Sequence, residues 1–155
     1  MASPKRKSAL AEELALEHFL PYRLSVLSNR VSRAIARRYS KAFGLSVPEW
    51  RVIAVLGRQP GLTAKDIAEA TEMDKVAVSR AVARLVAAQR VACETDPADA
   101  RRQLLRLTPL GEKVRARIAP MALAEERKLL AALSPNERVQ LDALIGRLLG
   151  AAQRL

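Results

Sequence analysis

Residues 96–114 read DPADARRQLLRLTPLGEKV. Asp96-Pro97-Ala98-Asp99 is made of turn formers, and it lies between two short strand-like runs, roughly 90–95 and 102–107. Thr108-Pro109 then has the form of a helix start, a hydroxyl cap followed by Pro in the first turn. Taken alone, DPAD is an ordinary turn. The order strand, acidic turn, Arg, strand, capped helix is more particular: it describes a β-hairpin wing with Arg101 near its tip. A guanidinium there can enter a narrow minor groove, whose negative potential attracts it. Asp99, two residues earlier, is placed to hold that side chain by a bidentate salt bridge.

Immediately upstream, residues 63–88 read as two short helices joined by a tight turn. Thr63 caps the first, Thr71-Glu72-Met73 turns the chain, and Asp74 caps a second helix running to about Ala88. Ile67, Ala68, Met73, Val78, Val82 and Leu85 are placed to bury one another. Such a pair could equally be a helical hairpin in any core, so its outer face has to decide. With Val78 pointing inward, helical periodicity turns Val76, Ala77, Arg80, Arg84 and Ala87 outward, with Lys75 and Ser79 flanking them. Small residues permit close approach to a major groove, and Arg80 is placed to reach guanine O6/N7 or a phosphate. A solvated helix face would more usually mix Glu with Lys.

Long amphipathic helices flank this lobe on both sides. Pro21 stands at a helix start, and Leu20, Leu24, Leu27, Val31, Ile35 and Tyr39 form one stripe that Gly44 closes. Ser46-Val-Pro-Glu49 is a capping box opening a helix with Trp50, Ile53 and Val55-Leu56, which the sequence predicts to stop at Gly57 before the turn Gln59-Pro60-Gly61. Pro120 falls inside the helix opened by Thr108 and predicts a kink. Ser134-Pro135-Asn136-Glu137 opens a last helix striped by Leu141, Leu144, Ile145 and Leu148. The expected division is a basic, disordered segment at 1–9, an N-terminal dimerisation helix region at 10–47, a DNA-binding lobe at 48–111 and C-terminal dimerisation helices at 112–155. The fold class is mostly α with a small β-wing.

Composition agrees and excludes much. Half the residues are apolar but only 3% are aromatic, so Leu, Val, Ile and Ala build the core. The formal net charge of +11 favours a polyanionic partner. That charge is spread unevenly: residues 1–47 carry +6, residues 48–111 carry +2 and residues 112–155 carry +3. Bulk charge alone therefore does not find the reading lobe. Apolar runs are too short to span a bilayer, and Lys5-Arg6-Lys7 is not followed by the apolar stretch of a signal peptide. With one His, one Cys, no Gly-rich phosphate loop and no metal-ligand cluster, the sequence offers no catalytic residues, no metal site and no cofactor. The lone Cys93 cannot form an internal disulfide, which fits a reducing cytoplasm; in the first wing strand it reads as a small apolar residue.

The segment quoted first resembles the wing signature of the MarR (multiple antibiotic resistance regulator) family: an Asp, an Arg two positions later, and Leu-Thr followed by Gly at the next helix start. Asp99, Arg101, Leu107-Thr108 and Gly111 stand at those positions. The stretch DKVAVSRAVARLVAAQRV, residues 74–91, resembles the family's recognition helix and its exit. The likeness runs from about residue 20 to 150. Two departures stand out. The family usually has Gly near position 89, where this chain has Gln89, and often a second Arg directly after the wing Asp, where this chain has Ala100; Arg102 is placed to replace that phosphate contact.

The resemblance implies a homodimer whose N- and C-terminal helices intertwine, with two winged lobes reading a pseudo-palindromic operator in double-stranded DNA. It also implies repression relieved by a small ligand, often an aromatic acid, bound between dimer region and lobes. DNA-binding residues are then Lys75, Val76, Ala77, Ser79, Arg80, Arg84, Asp99, Arg101 and Arg102. An acidic aromatic, or its thioester, needs a cation and flat apolar walls. Tyr22-Arg23 and Trp50 are the candidates, with His18 and Arg51 behind them. Their ordinary roles would be core packing for Trp50 and surface charge for Arg23 and His18. An architectural or partner-binding protein using this fold without an effector is the alternative.

Overall fold

A computed structural model of the chain describes residues 14–155; the basic segment at 1–9 and the start of the 10–47 region lie outside the described residues. The element order is α1 (Leu20–Phe43), α2 (Val47–Arg58), α3 (Ala64–Thr71), α4 (Lys75–Ala87), β1 (Val91–Asp96), β2 (Asp99–Leu107), α5 (Pro109–Leu130) and α6 (Pro135–Ala152). Local chemistry sets most of these boundaries. Ser46 with Glu49, Thr63 with Asp66 and Ser134 with Glu137 form reciprocal capping boxes at the starts of α2, α3 and α6. Gly44, at φ 63°, closes α1 in the left-handed region, its amide donating to the Ser40 carbonyl.

Two sequence expectations shift. Helix α2 passes through Gly57 and ends at Arg58, with Gln59 as its C-cap. Gly57 is there for space, because a Cβ would run into the Arg115 side chain of α5. Strand β2 begins at Asp99 rather than near 102, so the hairpin closes over Pro97-Ala98 alone. Helix α5 continues unbroken through Pro120. Pro120 and Ala116 are both exposed, and the carbonyl that Pro120 leaves without a donor lies on the wet side of the helix.

The core is continuous from α1 to α5. Tyr39, Leu45, Val52, Ile53, Leu56, Ile67, Val78, Leu85, Val91, Leu105 and Ile118 are all buried in one cluster. It therefore draws on α1 and α5 as well as on residues 48–111. Helix α2 packs on α4, α3 on α4, and α1 on α5. The two strands pair antiparallel with Val91 opposite Leu107 and Thr95 opposite Gln103. β2 is also stitched to the chain before α3: the Gly61 amide donates to the Leu105 carbonyl at 2.9 Å, and the Leu105 amide to the Leu62 carbonyl at 2.8 Å. The wing base is thus fixed to the helical lobe by backbone bonds.

Helix α6 is different. It has 18 residues and none of them is buried. Among the described residues no helix is long and apolar enough to cross a membrane.

Candidate nucleic-acid interface

Helices α3 and α4 meet at a turn that Glu72 makes by adopting φ 52°. Asp74 then caps α4, its carboxylate accepting from the amides of Val76 at 2.9 Å and Ala77 at 3.0 Å. Val78, Ala81 and Leu85 of α4 are buried, which fixes the rotation of the helix about its axis. Lys75, Val76, Ser79, Arg80, Arg84 and Ala87 are consequently exposed, and Ala77 half-buried. Arg80 and Arg84 border a groove of about 250 Å³ with Ala77, facing Ser46 and Pro48 at the start of α2.

On the wing, Asp96 accepts from the Ala98 amide at 2.9 Å and Asp99 from the Arg101 amide at 3.0 Å. The second bond corrects the sequence expectation. Asp99 holds the backbone of Arg101, and no Asp99–Arg101 ion pair occurs among the described residues. Arg101 is left exposed at the tip. Arg102 turns the other way, its guanidinium 3.7 Å from Asp96 and 4.0 Å from Asp66 of α3. The Thr63 amide and hydroxyl, with Arg102 assisting, hold the Asp66 carboxyl below the usual carboxylate range.

The modest net charge of the lobe now has a structural explanation. Asp66, Asp74, Asp96 and Asp99 each spend a carboxylate oxygen on a backbone amide of their own turn or helix start. Formal charge counts them against Lys75, Arg80, Arg84 and Arg101, but their geometry is that of caps. Cys93 is exposed rather than packed, its thiol donating to Gln103 Oε1 at 3.3 Å.

The exit of α4 departs from regular backbone at Gln89, whose φ is 57°. Its carbonyl accepts from the Thr108 hydroxyl at 2.6 Å, and the Arg90 amide reaches back to the Leu85 carbonyl at 2.9 Å. This is a Schellman-type ending with Gln at the site that favours Gly. Gly111 of α5 lies so close to the Arg90 carbonyl that a Cβ would overlap it. Sequence reasoning passed over Arg90, whose Nη2 donates to the Phe43 carbonyl at the end of α1 at 2.7 Å.

The five candidate ligand residues fall into two groups. Tyr22 and Arg23 lie exposed on the first turns of α1, along a groove of about 560 Å³ with Leu20, Leu27 and Arg30; His18 is exposed in the turn before them. Trp50 instead stacks at a tilt on Tyr39, with ring centroids 5.9 Å apart, and Arg51 donates to the Ser32 hydroxyl at 3.2 Å. Ser32 lies about 13 Å along α1 from Arg23, so one chain does not gather the five.

A helix pair with a basic outer face beside a hairpin carrying a free arginine defines a winged helix-turn-helix protein that binds DNA and regulates transcription. The sequence pattern described as MarR family matches residues 43–102. The chain is 29% identical over 107 residues to the transcriptional regulator HosA of Escherichia coli O111:H-, covering 69% of this chain and 79% of HosA. Among solved structures it resembles a MarR family transcriptional regulator from Silicibacter pomeroyi, with TM-score 0.76, 29% identity and coverage of 90% and 95% of the two chains. It also resembles the PcaV transcriptional regulator of Streptomyces coelicolor, solved in complex with its natural ligand, with TM-score 0.75, 25% identity and coverage of 92% and 99%. In sequence pattern and in fold the chain is thus similar to MarR family transcriptional regulators.

Proposed function

We propose that the protein is a cytoplasmic homodimeric repressor that reads a pseudo-palindromic operator and is released by a small acidic ligand, of which an aromatic acid or its thioester is the first candidate. The observation that carries the dimer is α6. Leu141, Leu144, Ile145, Leu148 and Leu149 are all exposed on it, and Leu20, Leu24 and Leu27 are exposed on the first half of α1. Two apolar helix faces left in water on one chain are what a second copy would cover, because each large side chain buried stabilises by about 1.5–3 kcal/mol. Residues 10–47 and 112–155 are then the dimerisation segments and residues 48–111 the reading lobe. Lys75, Val76, Ala77, Ser79, Arg80 and Arg84 face the major groove, and Arg101 the minor groove.

Ligand release is supported by PcaV, which is described with its natural ligand. In this chain the Tyr22–Arg23 groove has an aromatic wall and a cation, and it opens on the α1 face that a partner would approach. Sedimentation tests the dimer directly. Leu144→Glu with Leu148→Glu should give a folded monomer that loses most operator affinity, and a footprint of the parent protein should cover two related half-sites about one helical turn apart. A double variant that stays dimeric, or a single unsymmetrical footprint, would refute the dimer.

A further inference from the structure

We propose that the notch between the start of α3 and strand β2 seats one backbone phosphate of the operator, with Lys65 as the side chain that holds it. The notch has a volume of about 540 Å³. Lys65, Arg101 and Arg102 stand around it, and Asp66 is the one acid in its lining among the described residues.

The duplex itself brings a backbone to this place. A major groove and the minor groove beside it are separated by a single sugar-phosphate strand. With α4 in the major groove and Arg101 in the adjoining minor groove, that strand has to cross the lobe between them. α3 leads into α4 through the turn at Glu72, and Arg101 is itself part of the notch. The Gly61–Leu105 and Leu105–Leu62 backbone bonds tie β2 to the residues before α3, so the two sides of the notch keep a fixed spacing.

The three cations differ in how committed they are. Arg102 is divided between Asp96 at 3.7 Å and Asp66 at 4.0 Å. Arg101 is taken by the minor groove in the reading above. Asp66 in turn accepts from the Thr63 amide and the Thr63 hydroxyl, each at 2.8 Å. Lys65 is held least: its ion partner among the described residues is Glu69 at 3.8 Å, with the two side chains 73% and 63% exposed. A pair so open to water binds a lysine weakly. No aromatic ring lines the notch, so nothing there stacks a base. A phosphodiester needs only room and positive charge, and both are present. Such a contact reads no sequence but fixes register. Gripping the strand between the two grooves would set the offset of Arg101 from α4. The inference rests on the DNA-binding reading and adds to it a residue outside the recognition helix and the wing.

Operator duplexes selected from a random pool, with one phosphate at a time replaced by an uncharged methylphosphonate, test it in titrations of the full chain. Lys65→Gln should melt no lower than the parent, because it removes a cation from the first turn of α3, where the helix dipole disfavours one. Its operator affinity should fall about fivefold at physiological salt, and the slope of log affinity against log salt should drop by about one. Lys65→Arg should restore both. In the parent, one methylphosphonate in each half-site should reproduce the loss. Lys65→Gln should be indifferent to that substitution while still responding to the others. Equal sensitivity of the parent and Lys65→Gln at every phosphate, or an unchanged salt slope, would overturn the seat and leave the DNA-binding reading intact. A loss that followed an exchanged base pair instead would make Lys65 a base reader, again against the proposal. A lower melting temperature in Lys65→Gln would make its role structural and end the proposal too. A parent that selected no duplex would remove the regulator reading and the seat with it.

Discussion

The carboxylate of Asp99 accepts from the backbone amide of Arg101, its neighbour two residues on, at 3.0 Å. The bond shapes the turn from which Arg101 projects and leaves the guanidinium unengaged by Asp99. Asp99→Asn keeps an acceptor oxygen and removes a negative charge, so operator affinity should hold or rise. Asp99→Ala removes the acceptor as well, and affinity should fall despite the same charge change. Equal behaviour of the two variants in a binding titration would show that only charge matters at this position.

Arg101→Ala should weaken operator binding strongly and reduce the slope of log affinity against log salt by about one. Arg102→Ala should move that slope less, since Asp96 and Asp66 already neutralise its guanidinium. An identical slope change in both would place Arg102 on a phosphate.

If Arg80 reads a guanine, Arg80→Ala costs about 1–3 kcal/mol on the operator. The loss should shrink when that base pair is exchanged. An equal loss on every sequence would reduce Arg80 to a backbone contact.

Gln89→Gly should stabilise the fold by about 1 kcal/mol, because Gly reaches the left-handed region without the Cβ clash that Gln89 bears at φ 57°. Urea denaturation measures it. Gly111→Ala should destabilise by several times more, the new Cβ meeting the fixed carbonyl of Arg90 rather than a flexible side chain. Gly57→Ala meets only the Arg115 side chain, which can move, and should be mild.

Burial pushes the Tyr39 hydroxyl up to about 12, with nearby Arg51 opposing and Glu49 reinforcing the shift. A phenol whose folded pKa is raised favours folding below its unfolded pKa of about 10, and that contribution is lost as pH climbs from there through the folded value. Stability should therefore fall by about 1–3 kcal/mol between pH 10 and 12. The fall should be shallower in Tyr39→Phe. Parallel curves would remove Tyr39 as the cause.

Most of the architecture was readable because it is written locally. Ser46, Thr63, Asp74, Thr108 and Ser134 each cap a helix within reach of their own side chains, and the turn formers Asp96-Pro97-Ala98-Asp99 mark the wing. The outward face of α4 followed from one residue, Val78, being inward. What could not be read depends on partners distant in sequence. Gly57 looked like a stop signal because Arg115, on α5, was not available to explain it. Arg102 looked like a free cation because its acids lie on α3 and across the hairpin. Asp99 has two possible donors in Arg101, the amide and the guanidinium, and sequence does not choose between them. Trp50 and Arg23 looked like neighbours in a pocket, whereas Arg23 lies on the first turn of α1 and Trp50, on α2, packs against Tyr39 near the other end of α1.

The contact between Gly111 and the Arg90 carbonyl fastens the start of α5 to the exit of α4 with no side chain between them. α5 has 22 residues and so is about 33 Å long. In the proposed dimer it acts as a lever arm with its load at one end. A tilt of only about 5° at the far end carries the reading helix about 3 Å, close to the rise of one base pair. Operator spacing would then be gauged by the stiffness of this joint as much as by any contact to a base, and a slackened joint would blur the spacing before it weakened the grip on either half-site.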